Sequence, residues 1–582
     1  MIKKENTGSV KIIPLGGLEQ IGMNMTAFMY EDEIVVVDCG LSFPDDDMLG
    51  VDLVIPDVTF LKDNIDKVKG FVVTHGHEDH IGAFPYVIKD VNKPIYATKL
   101  TMGIIETKFR EHNLIATTKR KIVNYGQSII LGKFRIEFIR TNHSIADSAA
   151  LAIHTPAGVI FHTGDFKVDY TPVFGEPIDL QRMGEIGKKG VLALLCDSTN
   201  VMRPGYTMSE KTVGKTFENI FDENKKNRII VATFASNVDR VQQIINAACS
   251  HGRKVAVEGR SMVNIINVAG ELGYIQIPDG TLIDTEEIKK YPDDQVTIIT
   301  TGSQGESMAA LSRMAASIHK KVTIKPGDVV IVSATPIPGN EKSVARLINE
   351  LSMKGAKVIF QDTHVSGHAS QEEIKMMYTI LKPKYSIPVH GEYRHLVKHA
   401  ELAESMGIDK KNIFILSSGD VLELSEEECR EAADYVFDKI KNEGRPFEFR
   451  YYDPVEHKKR VSRMKLIEST IRDNSVWYSI SSDAVEFYLD TKEIKDESRI
   501  SVSQLLLEKM INSNNFKGGV EVVERINEEV GRLKLRKAEV MEVLSQDVNA
   551  GIDAYEDFVS TGMKWFNDEE KLFKKNKELI DK

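Results

Sequence analysis

Gly70-Phe71-Val72-Val73-Thr74-His75-Gly76-His77-Glu78-Asp79-His80 is the stretch on which the fold and the chemistry both turn. Gly70–Thr74 is a short apolar, β-branched run that reads as a buried strand. Three imidazoles and Asp79 follow within the six residues His75–His80. Neutral imidazoles and carboxylates are good ligands for zinc and similar divalent ions. Side chains alternate along a strand, so a continuing strand could not aim all four to one side. A tight turn can, and Gly76 permits one. The stretch reads as a metal site at a strand's end, with enough ligands for two ions. The plain alternative is a histidine-rich polar turn.

Outward from this stretch the same pattern recurs between residues 10 and about 445. Apolar runs at 34–38, 134–139, 158–162, 191–195, 229–232, 296–299, 329–332 and 357–360 end in polar or glycine-rich turns. Runs this apolar predict strands buried on both faces, in sheets covered by helices, and so an α/β architecture. The polar groups that look chemical follow the runs. They are the histidine cluster, Asn142-His143-Ser144, Thr163-Gly164-Asp165, Asp197-Ser198-Thr199, Thr301-Gly302-Ser303 and His364-Val365-Ser366-Gly367-His368. Strand ends display catalytic groups on rigid supports. Taken singly, His143, Asp165 and His390 could each be a loop or capping residue. Together with the first cluster they make the ordered ligand set of a dinuclear hydrolase.

Composition sets wider bounds. The chain has 582 residues, 42% hydrophobic and 28% charged, as in a folded protein of three or four domains. No run of about 20 apolar residues predicts a membrane span, and the N-terminus carries no signal-like stretch. The four cysteines are scattered, without C-x-x-C spacing. Core thiols in a reducing compartment, and hence a cytoplasmic protein, are expected. The net charge of −11 argues against coating nucleic acid non-specifically, but leaves room for a basic groove. Past residue 445 the character changes: a linker-like 441–446, a mixed segment, then a heptad-like series Val523, Ile526, Val530, Leu533, Lys537, Val540, Leu544. That series fits an amphipathic helix of a local bundle or a coiled coil. The acidic loop Asp45-Asp46-Asp47…Asp52 is either a solvated turn or a structural calcium site.

Several longer motifs occur in a fixed order: Pro14-Leu15-Gly16-Gly17, Phe43–Asp52, Thr74–Gly82, Thr163–Lys167, Asp197–Asn200, Gly302–Glu306, His364–His368 and Pro388–Glu392. On these, residues 8–424 resemble the β-CASP nucleases of the metallo-β-lactamase superfamily, and among them the bacterial ribonuclease J family. The resemblance implies an αββα metallo-β-lactamase sandwich with an inserted β-CASP α/β domain and a separate C-terminal α+β domain. The expected boundaries are 1–205 and 361–445 for the two parts of the sandwich, 206–360 for the insertion and 446–582 for linker and divergent C-terminal domain.

It further implies that His75, His77 and His143 hold one ion, that Asp79, His80 and His390 hold the other, and that Asp165 bridges them. Zinc is the family's usual metal and manganese its competitor. Two ions would acidify a shared water for in-line attack on phosphorus, with Asp79 helping to orient it. His368 would contact the scissile phosphate or protonate the leaving oxygen, and Asp197 would orient His368. Substrate would meet His364, Val365, Ser366, Gly367 and His368, a small-residue turn suited to anions, and Thr233-Phe234-Ala235, with an aromatic for base stacking.

The implied reaction is hydrolysis of single-stranded RNA, by 5′-to-3′ exonuclease action favouring a 5′-monophosphate and by endonuclease action, in RNA processing and decay. The implied assembly is a homodimer or homotetramer that meets other RNA-decay proteins. Three alternatives remain: a small-molecule hydrolase of the superfamily, a β-CASP DNA nuclease, and a non-enzymatic RNA scaffold. The insertion between Asp197 and His364 suits a polymer groove, and His390 favours RNA over DNA by the resemblance. The chain departs from the family at Gln20, Met23 and Asp239, and its tail after about 424 is unfamiliar. A carboxylate at 239 would repel phosphate if it faced the groove.

Overall fold

A computed structural model describes residues 8–431 except 44–47, 49–50, 52, 307–308, 337–339, 361–362 and 426–428. The expected calcium loop at Asp45–Asp47 and Asp52, the linker, the heptad series and the C-terminal domain therefore lie outside the described residues. The chain divides into two compact units, Met1–Arg430 and Glu431–Lys582, and the site lies in the first.

Two mixed sheets form a sandwich. The first orders its strands Cys429–Glu431, Leu422–Leu424, Val10–Gly16, Met25–Tyr30, Glu33–Val37, Val68–Val72, Ile95–Ala97 and Arg120–Ile122. The second runs Pro383–Val389, Val191–Asp197, Gly158–His162, Ala149–Thr155, Phe134–Arg140 and Ser128–Leu131. Val10, Ile12, Phe28, Val35, Val37 and Val72 of the first share a buried core with Phe134, Ile136, Phe138, Leu151, Ile160 and Leu195 of the second. Alternate residues point outward to helices, as strand geometry requires. Ile34, Val36 and Phe71 meet Phe84, Leu100 and Ile105, while Ala152, Phe161 and Leu194 meet Met183, Ile374, Met377 and Leu381. The αββα order implied by the resemblance is present. The simpler expectation of helices on both faces needs correction here, because each sheet covers one face of the other.

That expectation does hold for a third sheet, parallel throughout, with strand order Lys254–Glu258, Val296–Thr300, Ile229–Ala232, Val329–Val332 and Lys357–Ile359. Ile229 and Val231 face a core with Phe217, Val241 and Ile244. Ile230 and Ala232 face the opposite one, with Leu311, Met314 and Leu347.

The insertion leaves and re-enters the sandwich between neighbours. Val191–Asp197 pairs in parallel with Pro383–Val389 on one side and with Gly158–His162 on the other. Three adjacent parallel strands thus end at one sheet edge, and the residues just past them are Asp165, Asp197 itself and His390. Val68–Val72 of the opposing sheet delivers His75–His80 to the same place. Ligands of α/β sheets commonly bind beyond such carboxyl edges.

Close backbone approach locks the histidine turn. Cys39 N–H donates to His80 O at 2.8 Å, Asn24 N–H to Asp79 O at 2.9 Å, and Leu41 N–H to Glu78 O at 3.1 Å. A Cβ on Gly40 would fall on the Asp79 carbonyl, which is backbone and cannot swing aside. Gly40→Ala is expected to destabilise the fold by about 3 kcal/mol, as overpacking does, and to lower bound metal. Urea unfolding and elemental analysis of the purified variant check both.

Candidate metal centre and substrate cleft

Ligand atoms gather in two groups that share a middle. His77 Nδ1 lies 3.1 Å from His75 Nε2 and 3.0 Å from His143 Nε2. His390 Nε2 lies 3.1 Å from Asp79 Oδ2, and His80 Nε2 lies 3.6 Å from the same oxygen. Asp165 Oδ2 stands between them, 3.8 and 3.7 Å from His75 and His143 Nε2, and 3.3 and 3.4 Å from His80 and His390 Nε2. All seven residues expected as ligands are brought together, in the sets His75–His77–His143 and Asp79–His80–Asp165–His390.

Outer partners orient the rings. His143 Nδ1–H donates to Gly367 O at 2.7 Å, and His80 Nδ1–H donates to Asp38 Oδ2 at 2.7 Å. Thr74 Oγ1 gives its proton to Asp38 Oδ2 at 2.8 Å and faces His75 Nδ1 at 3.0 Å. Thr199 Oγ1 donates to His390 O at 3.1 Å and faces His390 Nδ1 at 2.6 Å. Each of these four imidazoles thereby spends Nδ1–H outward and turns Nε2 inward. Such partners commonly orient metal-binding histidines.

The charges agree with a cation site. Burial pushes His75 and His143 well down, and takes His77 to about 4, so these three stay neutral as ligands must. Burial also opposes charge on His80 and His390, but Asp165, Asp79 and their neighbours prevail, raising His80 and taking His390 to about 9. Burial alone would raise the carboxyls of Asp79 and Asp165. The facing His80 and His390 instead hold both below the usual range. Three neutral nitrogens close together, beside buried Asp165 and half-buried Asp79, fit a pair of divalent cations, which would take the place of the protons on His80 and His390.

His368 stands beside the ligands. Its Nδ1–H donates to Asp197 Oδ2 at 2.8 Å, and its ring stacks on His390 at 5.4 Å between centroids. Against the cost of burial, Asp197 raises the His368 pKa. Asp197 accepts Thr199 N–H at 2.9 Å, so it braces the loop that also steadies His390.

The turn His364–His368 closes one wall of the cleft. Asn200 Nδ2 donates to Ser366 Oγ at 2.8 Å and to His368 O at 2.9 Å, and Thr335 Oγ1 lies 2.9 Å from His364 Nδ1. Fully buried Arg240 reaches in from the third sheet's side. It pairs with Glu210 at 2.8 Å, donates to Ser333 O at 2.9 Å and reaches Val365 O at 3.3 Å. Burial, with Arg240, Arg203 and Lys167 nearby, takes His364 to about 3. Thr233, Phe234 and Ala235 follow the central strand Ile229–Ala232. Thr233 is buried and bonded to Ser333 O, while Phe234 is half-buried.

Asp239 does not simply face the groove. Its Oδ1 is buried without a hydrogen-bond partner among the described residues. Burial, with Glu210 and Asp169 set against Lys167 and Arg240, pushes its carboxyl up to about 7. Near neutral pH it is only partly charged, which weakens the expected repulsion of phosphate.

Sequence reading missed Asp38, Thr199 as a partner of His390, and Asn24, whose Nδ2 lies 3.1 Å from His80 Nε2. It also missed Arg240. Asp38 closes an apolar run in the same way as the ligands do, and that was the available signal.

Comparisons with known proteins agree with this architecture. Residues 34–181 match the family described as beta-lactamase superfamily domain. Residues 226–351 match ribonuclease J, beta-CASP domain, and 356–416 match Zn-dependent metallo-hydrolase RNA specificity domain. The chain is 49% identical over 437 residues to a ribonuclease J of Synechocystis sp., covering 74% of this chain and 68% of that one. It is 49% identical over 420 residues to a ribonuclease J of Helicobacter pylori, covering 72% of this chain and 61% of the relative. A crystal structure of an Enterococcus faecalis protein of unknown function superposes with a TM-score of 0.53 at 16% identity, over 72% of this chain and all of that one, and shows the shared fold alone. Among the described residues no helix is long and apolar enough to cross a membrane.

Two outcomes follow from the geometry. Asp38→Ala removes the acceptor for His80 and is expected to weaken metal binding about 10–100-fold, read by competition with a chelator. Folded Asp239 keeps a proton up to about pH 7, whereas an aspartate in the unfolded chain loses it near its ordinary value of 3.8, so ionisation costs stability as pH rises between those values. Asp239→Asn should therefore raise Tm more at pH 8 than at pH 5 in thermal melts.

Proposed function

The chain belongs to the ribonuclease J family of metallo-β-lactamase-fold ribonucleases, and from that premise we propose that it hydrolyses single-stranded RNA at phosphodiester bonds. The proposed modes are 5′-to-3′ removal of nucleotides from a 5′-monophosphorylated end and internal cutting, in cytoplasmic RNA processing and decay. The observation that carries this reading is Asp165 Oδ2 standing between two imidazole-rich groups, with the His368–Asp197 pair alongside.

His75, His77 and His143 would hold one divalent ion, Asp79, His80 and His390 the other, with Asp165 shared. The donor set is nitrogen and oxygen without thiolate, which suits zinc first and manganese as competitor. When bound, the ions supply Lewis acidity at the phosphate and acidify water. The chain's own groups do the rest. Asp79, whose side chain is 28% exposed, is open to orient the attacking water. His368, kept protonated by Asp197, gives a proton to the leaving oxygen or a hydrogen bond to the scissile phosphate. Asp197 is a positioning residue. Ser366, Gly367 and His364 present hydroxyl, backbone and imidazole groups to the 5′ phosphate, with Val365 packed behind. Phe234, between Thr233 and Ala235, offers a ring for a base. The proposed boundaries make 206–360 the lobe over the cleft and 1–205 with 361–445 the sandwich beneath it, of which 432–445 lie outside the described residues. The full chain is proposed to assemble as a dimer or tetramer, to be read by light scattering.

Purified protein with zinc or manganese is tested on 5′-monophosphorylated, 5′-triphosphorylated and circular RNA and on single-stranded DNA. Mononucleotides should appear from monophosphorylated RNA, and Asp79→Ala should abolish them. His368→Ala should lower kcat about 10²–10⁴-fold, the usual yield of general acid catalysis, with RNA affinity retained. Absence of RNA cleavage with either metal overturns the reading. Equal cleavage of DNA moves it to a general nuclease.

A further inference from the structure

Between the sandwich and the third sheet, the segment Val201–Ser209 carries large side chains in solvent. Tyr206 is 61% exposed, Met208 62%, and Tyr170 on the neighbouring loop 61%. Their orientation is built in. Thr207 donates its hydroxyl to His368 O at 2.7 Å and its N–H to Glu373 at 2.7 Å. Ser209 Oγ donates to Thr171 O at 3.0 Å. With Thr207 and Ser209 held inward by these bonds, Tyr206 and Met208 are left in solvent. The same bonds lace the two loops together: Lys167 Nζ donates to Met208 O at 3.4 Å, and Thr171 Oγ1 meets Ser209 Oγ at 3.1 Å. The loop that carries Tyr170 therefore borders the one that carries Met208.

The strip is continuous with the candidate phosphate turn. Thr207 bonds to the carbonyl of His368, and Gln371 N–H donates to Arg203 O at 3.0 Å. Exposed cations flank it, Arg203 before Tyr206 and Lys211 after Met208. Arg203 is near enough to act electrostatically on His364. Aromatic faces interleaved with cations, next to a phosphate-binding turn, match what a single nucleic-acid strand requires: stacking for bases and charge for the backbone.

Building on the ribonuclease reading, we propose that Tyr170, Tyr206 and Met208 form a stacking platform for single-stranded RNA running on from the His364–His368 turn, with Arg203 contacting a phosphate. The platform reads no sequence, because every base has a face to stack. It binds the part of the RNA strand that extends past the turn.

The test uses the full chain carrying Asp79→Ala, so that RNA binds without being cut. Affinity is measured for a single-stranded RNA, for an abasic ribose-phosphate strand of equal length and for a dinucleotide. Tyr170→Ala with Tyr206→Ala should weaken RNA binding about tenfold or more, as loss of stacking does. Binding of the abasic strand and the dinucleotide should hold. Tyr206→Phe should bind as the parent does, since the ring face survives. The salt dependence of log Kd should stay unchanged in the tyrosine variants, whereas Arg203→Ala should lower its slope by about 0.7, one phosphate contact on a single strand. Unchanged RNA affinity in the double variant overturns the platform. So does a change in oligomer mass with RNA affinity intact, which would make the strip a contact between copies. RNA cleavage by the unsubstituted chain is read alongside: its absence fells the ribonuclease reading, whereas cleavage with unchanged affinity in the double variant fells the platform alone.

Discussion

Everything at this centre is arranged around one buried carboxylate. Asp165 Oδ2 has five imidazole nitrogens within 3.3–3.9 Å, from His75, His80, His143, His368 and His390. An ionised carboxylate is costly to bury without compensating charge. Here the compensation is divided, and the division differs between the two sides. His75, His77 and His143 are too deeply buried, and too near one another, to take protons. His80 and His390 have Asp79 as well as Asp165 and do take them. One side is thus poised for a cation that brings its own charge, and the other for a cation that displaces protons.

That carboxylate depends in turn on topology. The loops carrying Asp165, Asp197 and His390 leave a single edge because Gly158–His162, Val191–Asp197 and Pro383–Val389 are consecutive and parallel. Antiparallel pairing of any two would send one loop to the far edge. The parallel pairing of Val191–Asp197 with Pro383–Val389 requires a crossover, and the crossover here includes the whole third sheet. The insertion that covers the cleft and the convergence of the ligands are therefore consequences of the same connection.

Legibility in the sequence followed local density. His75–His80 could be read at once, since four ligand residues in six positions after an apolar run have few other uses. His143, Asp165 and His390 were ambiguous alone and became readable only through the order of motifs, because sequence does not record which strands are neighbours. Asp38 was missed for a different reason, although it too closes an apolar run. Its role depends on a backbone at φ +63 that turns the carboxylate toward His80 and Thr74 rather than into the sheet. Asp239 was noticed, but its charge depends on buried neighbours drawn from three separate segments, Lys167 and Asp169, Glu210, and Arg240. The exposed tyrosines were missed because a loop without periodicity does not announce which residues point outward.

Arg240 connects these parts. A guanidinium with no exposed surface is expensive unless every donor is used. This one is held by both oxygens of Glu210, by Ser333 O at the end of a third-sheet strand and by Val365 O in the His364–His368 turn. The same turn is gripped from the sandwich side by His143 at Gly367 O and by Asn200 at Ser366 and His368. The turn is therefore a shared wall. Displacing the third sheet pulls on Val365, and through Gly367 that pull reaches a ring of the metal centre. The third sheet and the orientation of the His143 ring thus share one short stretch of backbone, Val365–Gly367, so the inserted sheet helps to hold the geometry of the centre and does not only cover it.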